Sequence, residues 1–320
     1  MAKISVAMTT YNGEKYIEKQ LESLRLQTRK IDEVIICDDR SKDNTEKVVT
    51  DYINKHNLTG WKFIVNDKNL GFIDNFKKAI KLTTGDYIFL ADQDDEWHFD
   101  KIEVMANILD ENDNIDLLSC NLQFIDKDSK NFTPTSLPKW YKKLDSFEKD
   151  KMIKLNFIEI CDSNTSPGCT MCMRRSLADN YFESKYPYKV PHDWLINLLA
   201  CVEGKSYIIN KPLIDYRLHS DNAIGISKAT SSKTKEKQLD GLNKLLQFYL
   251  LAKGHNDIYD EQIAKNVDYV EKRISLYEHR SIKKFFQVVS ASKKVKHLKE
   301  GQLFMINIKD LLYTLHLIFK

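Results

Sequence analysis

Several features that would narrow the function of this 320-residue chain are missing, and each absence removes a class of protein. No stretch of about 18 apolar residues occurs, so nothing reads as a membrane-spanning helix. Met1-Ala2-Lys3-Ile4-Ser5-Val6-Ala7 runs straight into a strand pattern without the apolar core of a secretion signal, an expectation of a cytoplasmic protein. No Gly-x-Gly-x-x-Gly follows the first apolar run and no Gly-Lys-Ser/Thr loop occurs, which disfavours dinucleotide dehydrogenases and P-loop enzymes. Neither charge sign dominates: 49 basic against 46 acidic residues leave +3, so the chain lacks a global nucleic-acid footprint. The six cysteines (37, 120, 161, 169, 172, 201) do not have the dense spacing of a disulfide framework. Cys169-Thr170-Met171-Cys172 has no second pair and no His-x-His partner at zinc spacing, so it reads as a strand interior. No Ser or Cys stands in a triad context, and no internal repeat is visible.

What is present is a soluble globular composition, 42% hydrophobic and 30% charged, with material for one large or two medium domains. Ile4 to Met8, Val34 to Cys37, Trp61 to Val65 and Tyr87 to Ala91 are short apolar runs that predict buried strands. Between them, Tyr16-Ile17-Leu21-Leu24, Val48-Val49-Tyr52-Ile53 and Phe72-Phe76-Ala79-Ile80 recur at helical spacing. Alternating strands and helices predict right-handed parallel βαβ units, an α/β fold with a mostly parallel Rossmann-like sheet flanked by helices. Three of the strands end in polar clusters: Thr9 to Asn12, Asp38 to Ser41, and Asp92 to Glu96. In such sheets ligands sit outside the carboxyl ends of the strands. Further on, the sequence predicts a helix from Phe99 to Leu109, a strand at 167–173, a helix opened by Pro191-His192-Asp193-Trp194, and a strand at 206–209. Residues 126–150 read as a loop or lid, and 227–235 as a linker into helical patterns.

The acidic stretch Asp92-Gln93-Asp94-Asp95-Glu96 is the centre of the chain's chemistry. In an extended backbone Asp92 and Asp94 project to one side. Crowded carboxylates raise one another's pKa unless a cation shares the site, and a hard divalent ion fits that arrangement. Taken alone, the stretch is equally a solvated acidic turn before the helix near Asp100.

The ordered motif series from residue 3 to 225 resembles the inverting family-two glycosyltransferases of GT-A fold, most closely a bacterial rhamnosyltransferase-like branch of surface-polysaccharide synthesis. Thr9-Thr10-Tyr11-Asn12 is similar to that family's first-strand loop against the nucleotide base. Asp38-Asp39-Arg40-Ser41-Lys42-Asp43-Asn44-Thr45 resembles its Asp-Asp-Gly-Ser-x-Asp-x-Thr, which implies that Asp39 accepts from N3–H of uracil or thymine. Arg40 stands where Gly is usual, so either the turn differs or Arg40 faces phosphate. Asn69-Leu70-Gly71 with Asn75 resembles the Asn-x-Gly helix start. Asp92-Gln93-Asp94 resembles the D-x-D, implying Asp94 as ligand of Mg²⁺ or Mn²⁺, with Asp92 and Gln93 on the nucleotide side. The resemblance makes Asp193 the general base, although a helix N-cap is the alternative for that residue. Tyr216-Arg217-Leu218-His219 resembles the branch's Tyr-Arg-x-His, implying His219 on the metal and Arg217, with Trp194, toward the diphosphate or acceptor.

The implied donor is a thymidine- or uridine-type nucleoside diphosphate sugar, with rhamnose as the sugar, and the acceptor a glycan or lipid-linked glycan. The implied domains are a GT-A domain over 1–225 (1–98 for nucleotide, 99–225 for acceptor) and a helical C-terminal extension over 226–320. From Ser281 onward, lysines 283, 284, 293, 294, 296, 299, 309 and 320 face only Glu300 and Asp310. That tail reads either as a surface for an anionic membrane at the inner face of the cell or as a packed extension with a solvated lysine face. The competing functions are a sugar-nucleotide pyrophosphorylase, which would want a Gly-rich basic first loop, and a non-catalytic nucleotide-sugar-binding subunit.

Overall fold

The computed structural model describes residues 1–134, 141, 148–184, 186, 187, 189–219, 234–253, 257–295 and 300–315. Residues 135–140 and 142–147 of the expected lid, the linker up to 233, and Lys296, Lys299 and Lys320 lie outside the described residues. The chain divides into two compact units. One comprises Met1–Leu155, Asn164–Ser184 and Val190–Ser227; the other comprises Asn156–Ser163, Lys185–Lys189 and Lys228–Lys320.

In the first unit β1 (Ile4–Thr10), β2 (Glu33–Asp38), β3 (Trp61–Val65) and β4 (Tyr87–Ala91) pair in parallel in the order β3-β2-β1-β4. Every residue of β1, β2 and β4 is buried, as expected of strands covered on both faces, whose sequences are continuously apolar rather than alternating. The connecting helices α1 (Ile17–Arg25), α2 (Thr45–Lys55) and α3 (Phe72–Leu82) bury Ile17, Leu21, Val49, Phe76 and Ile80. Each fully buried Ile, Leu or Phe contributes about 1.5–3 kcal/mol. The chain steps outward from β1 to β3 and then returns to the other side of β1 as β4. The β1/β4 junction is therefore the topological switch point, and the loops after both strands open into one crevice.

Beyond β4 come β5 (Glu96–Trp97), α4 (Lys101–Glu111), β6 (Leu117–Ile125), β7 (Met152–Lys154), β8 (Met171–Arg174) and β9 (Ser206–Arg217). The sheet continues β4-β8-β6-β9-β5, with β8 antiparallel to both neighbours and β9 parallel to β6. β9 is much longer than the expected strand at 206–209. Asn210, Lys211 and Pro212 break the apolar run, but β9 bulges there: Ile209 and Pro212 face the consecutive Cys120 and Asn121 of β6, so β9 absorbs its own extra residues and the pairing continues. The extra length pairs Asp215 with Glu96 on β5 and carries the chain to the mouth of β4.

The second unit is helical: α5 (Phe157–Asp162), then α8 (Lys235–Ala252), α9 (Asp257–Glu278), α10 (Ile282–Ser292) and α11 (Glu300–Thr314), with α6 (Arg175–Glu183) and α7 (His192–Val202) belonging to the first unit. A buried ion pair ties α11 to α9. Asp310, fully buried, accepts from Arg273 Nε at 2.8 Å and Nη2 at 3.0 Å, and from the Tyr277 hydroxyl at 2.9 Å.

Candidate active site

The loop after β1 is locked from two sides. Gln93 grips it with both ends of its amide, Oε1 accepting from Tyr11 N at 2.7 Å and Nε2 donating to Tyr11 O at 3.0 Å. A Cβ on Gly13 would lie 2.4 Å from that Gln93 oxygen, which explains the glycine of the Asn-Gly turn. On the other side Asn12 N donates to Ser41 Oγ and Gly13 N to Thr45 Oγ1, each at 2.8 Å. The Tyr11 ring stays exposed at the crevice.

The acids after β2 are satisfied by the protein itself. Asp38 is buried and accepts from Thr10 Oγ1 at 2.7 Å, Ser41 Oγ at 2.5 Å and Ser41 N at 2.8 Å. Asp39 is 3% exposed and takes Asn66 Nδ2 at 2.9 Å, Leu70 N at 2.7 Å and Gly71 N at 2.8 Å. A carboxylate has about four acceptor positions, so Asp39 keeps one for a ligand. Arg40 does not alter the turn: its φ is +66°, the left-handed conformation a glycine would take freely, and its guanidinium donates to the Asp67 carbonyl rather than reaching into the crevice. Asn75, expected at the nucleotide, is 1% exposed and bridges Asn66 Nδ2 to the Cys37 carbonyl, both at 2.9 Å. It is a buried brace, as is Thr10, while Thr9 is buried within β1.

The acids after β4 are crowded instead. The backbone leaves the strand after Ala91 and bends at Gln93 and Asp94, so the extended geometry expected to align Asp92 with Asp94 is absent. The bend separates the roles. Asp94 Oδ2 lies 2.8 Å from His219 Nε2, with side-chain exposures of only 13% and 12%. Asp92 turns inward, where burial, then the Asp94 charge, then the Asp193 charge push its carboxyl up to about 7. Asp95 is fully buried: Oδ1 accepts from Arg217 N at 3.0 Å, and burial plus the neighbouring acids hold its carboxyl well above the usual range. Ligand atoms of Asp92, Asp95 and Cys169 all lie within 4.8 Å of one another beneath the bend. Below them sits a lysine that no local pattern predicts. Lys101 is fully buried, donates to the Cys169 carbonyl at 2.5 Å and stands 3.7 Å from the Trp97 ring centre.

Arg217 departs most from its expected role. Its side chain is fully buried, paired with Glu96, with Nε donating to the Asp94 carbonyl at 2.7 Å and Nη1 to the Asp126 carbonyl at 2.7 Å. Donors so committed do not point at a diphosphate or an acceptor.

Asp193 opens α7, where Oδ1 accepts from Trp194 N at 2.8 Å. The helix-terminus argument predicts a strongly acidic carboxyl. Burial outweighs it and pushes Asp193 up to about 6, against hydrogen bonds from the Trp194 and Gly168 backbone and the Asn164 side chain. The preceding His192 went unremarked in the sequence. It is 5% exposed, stacks on Phe76 at 4.0 Å, and neither ring nitrogen has a partner. Burial pushes it down to about 3, so it is a neutral filler seating the start of α7 against α3.

Solved structures share this architecture. S. aureus TarS 1–349 in complex with UDP-GlcNAc matches over 99% of this chain and 93% of that one with a TM-score of 0.63 at 18% identity. Mannosyltransferase PcManGT from Pyrobaculum calidifontis, in complex with GDP-Man and Mn²⁺, matches over 97% and 80% with a TM-score of 0.54 at 14% identity. The fold is GT-A, a mostly parallel sheet flanked by helices. Residues 5–182, more than half of the chain, match Glycosyl transferase family 2, and the chain belongs to that family. The dTDP-rhamnosyl transferase RfbG of Shigella flexneri is 28% identical over 276 residues, 81% of this chain and 87% of RfbG. An uncharacterized glycosyltransferase of Methanocaldococcus jannaschii is 33% identical over 217 residues, 67% and 70% of the two chains. The protein is thus a nucleotide-sugar-dependent glycosyltransferase.

Proposed function

We propose that the chain transfers rhamnose from a thymidine- or uridine-type nucleoside diphosphate donor to a hydroxyl of a glycan or lipid-linked glycan, with inversion, in surface-polysaccharide assembly. The observation that carries the reading is the meeting of Asp94 and His219 at the mouth of β4, near enough to Asp193 for that acid's charge to act on Asp92. A carboxylate oxygen and an imidazole nitrogen 2.8 Å apart, beside an Asp92 pushed up to about 7, form a donor set that a divalent cation relieves. The residues fit Mg²⁺ or Mn²⁺, with Asp94 and His219 as the protein ligands. When bound, the ion supplies Lewis-acid charge for a departing diphosphate.

The chain's own residues do the rest. Asp193 takes the proton of the acceptor hydroxyl as that oxygen attacks the anomeric carbon, and a single displacement inverts the centre. A carboxyl near 6 is a stronger base than an exposed aspartate and is still mostly ionised at pH 7. Trp194 borders the acceptor's approach. The exposed Tyr11 ring offers a stacking face for the base, and the spare acceptor position of Asp39 suits N3–H of a pyrimidine. Asp92 and Gln93 stand on the ribose side, whereas Thr9, Thr10, Asn12, Asp38 and Asn75 hold the wall. The name of RfbG supports a thymidine donor and rhamnose; the ligands bound in the TarS and PcManGT structures support a nucleoside diphosphate and an ion. Nucleoside diphosphate release from dTDP-rhamnose, UDP-GlcNAc and GDP-mannose with Mn²⁺ tests the reading, the thymidine donor being expected to lead. Asp193→Asn should bind donor without turning it over; retained turnover rejects the base assignment.

The helical unit carries the second part of the proposal, a peripheral contact with an anionic membrane where lipid-linked acceptors reside. Among the described residues no helix is long and apolar enough to cross a membrane. Yet α10 exposes Ile282 and Phe286 beside Lys283, with Lys293 and Lys294 exposed after it, and α11 exposes Phe304, Met305 and Leu311. Apolar side chains with flanking lysines are the ingredients of interfacial binding. Co-sedimentation with phosphatidylglycerol vesicles, lost in phosphatidylcholine and in Phe286→Asp, is the expected result. Self-association of the lipid-free protein through Phe286 would assign the surface to a second copy instead.

A further inference from the structure

We infer that Arg217 is the positioning residue of the cation site, a single buried guanidinium that sets both Asp94 and His219 in the register from which they share an ion. This rests on the metal reading proposed above. Arg217 reaches the two ligands by separate routes, Asp94 by a direct hydrogen bond and His219 through the Tyr16 ring. Its Nε donates to the Asp94 carbonyl at 2.7 Å, fixing the bend that turns the Asp94 side chain toward β9. Its guanidinium carbon lies 4.7 Å from the Tyr16 ring centre, and the same ring meets the His219 imidazole at 5.0 Å. His219 follows Arg217 by two residues, so backbone and ring packing both key the imidazole to the same point.

The remaining donors anchor that point to the surrounding chain. The Arg217 backbone N–H donates to Asp95 Oδ1 at 3.0 Å, Nη1 to the Asp126 carbonyl at 2.7 Å, and both terminal nitrogens to Ser129 Oγ at 3.2 Å. Only a planar five-donor fork serves so many acceptors at once; a lysine ammonium has three donors at one atom. Glu96 pairs with Nη2, so the guanidinium's charge is met locally rather than opposing a cation nearby. Residues that orient metal ligands in this way contribute to affinity without touching the metal.

The experiment titrates Mn²⁺ against the full chain and follows the paramagnetic resonance signal of the free ion. Arg217→Lys keeps a charge for Glu96 but cannot span the Asp94 and Asp126 carbonyls together. Its Mn²⁺ dissociation constant should rise about 10- to 100-fold, with turnover recovering as Mn²⁺ is raised. Ser129→Ala, which leaves the guanidinium in place but loosened, should show a rise of about threefold to tenfold. A brace of fold stability alone would lower the melting temperature and leave Mn²⁺ affinity untouched. Affinity within twofold of wild type in a cooperatively melting Arg217→Lys therefore overturns the inference. Should Arg217→Lys not fold, wild-type affinity in Ser129→Ala overturns it on the same readout. A wild-type protein that leaves the free-ion signal unchanged, or an Asp94→Asn that binds Mn²⁺ equally well, defeats the metal reading itself and the inference with it.

Discussion

The two parallel strands that flank β1, β2 on one side and β4 on the other, each end in clustered aspartates, and the two endings behave oppositely. After β2, Asp38 and Asp39 receive six hydrogen bonds from backbone and side-chain donors of the crevice wall. After β4, Asp92, Asp94 and Asp95 face one another, Cys169 and His219, and two of the three are pushed up by burial and mutual repulsion. The same residue type in the same topological position thus supports structure in one case and awaits charge in the other. The presence of carboxylates does not mark the reactive end of the crevice. The marker is whether the fold supplies their donors.

The contrast breaks if substitutions on the two strands behave alike. The largest expected effect is at β4. Asp94→Asn should lower turnover by about 10²–10³, the scale of losing a charge-stabilising group at a reacting centre. Its metal-free melting temperature should stay within about 2 °C of wild type or rise, because one of the charges acting on Asp92 and Asp95 is gone. Calorimetry beside a donor-turnover assay separates the two readouts. At β2 the order reverses. Asp39→Ala strands the Leu70 and Gly71 N–H groups and the Asn66 amide in a buried place. Each orphaned donor costs about 1–3 kcal/mol, so a loss of about 3 kcal/mol in urea unfolding is expected. A loss below about 1 kcal/mol would erase the distinction between the strands.

Much of the nucleotide half could be read directly from the chain, since β1, β2 and β4 are continuous apolar runs and their burial on both faces follows from that. Ligand-facing and bracing polar residues could not be told apart. Asn75 and Arg217 carry the residue types of a binding motif, and only the positions of Asn66, Cys37, Asp126 and Ser129 reveal that their hydrogen bonds are used internally. Lys101 gave no signal, because a lysine at a helix start ordinarily faces water and its buried partners, Cys169 and Trp97, are distant in sequence or reached only through tertiary packing. The reach of β9 was hidden by Asn210-Lys211-Pro212, where local propensity points to a turn, whereas the strand takes up these residues as a bulge and pairs on with β6. The segments 156–163 and 185–189 joined the helical unit through packing, which no local pattern encodes.

A pH profile sharpens the comparison at intermediate scale. Asp193 is pushed up to about 6, so its ionised form is lost as the pH falls through 6. The free-enzyme parameter kcat/KM should then drop about tenfold per unit below pH 6 and level off above pH 7. An acid limb centred near 4 would mean that the carboxyl is solvated and that the burial of α7's first turn plays no part in its basicity.

The smallest expected effect tests how firmly the β2 ending is built. Arg40 occupies the left-handed region at φ +66°, where a side chain costs about 1–2 kcal/mol that glycine avoids. Glycine loses more chain entropy on folding, about 0.5–1 kcal/mol, and the hydrogen bond to the Asp67 carbonyl disappears with the side chain. These terms oppose one another, so Arg40→Gly should change stability by no more than about 1 kcal/mol, with the turn and donor affinity retained. Because the network around Asp38 and Asp39 uses the backbone of Ser41, Leu70 and Gly71 rather than the Arg40 side chain, the turn is held whichever residue stands at 40. A destabilisation above about 2 kcal/mol in urea unfolding would instead make the arginine's reach to Asp67 part of what satisfies the β2 acids.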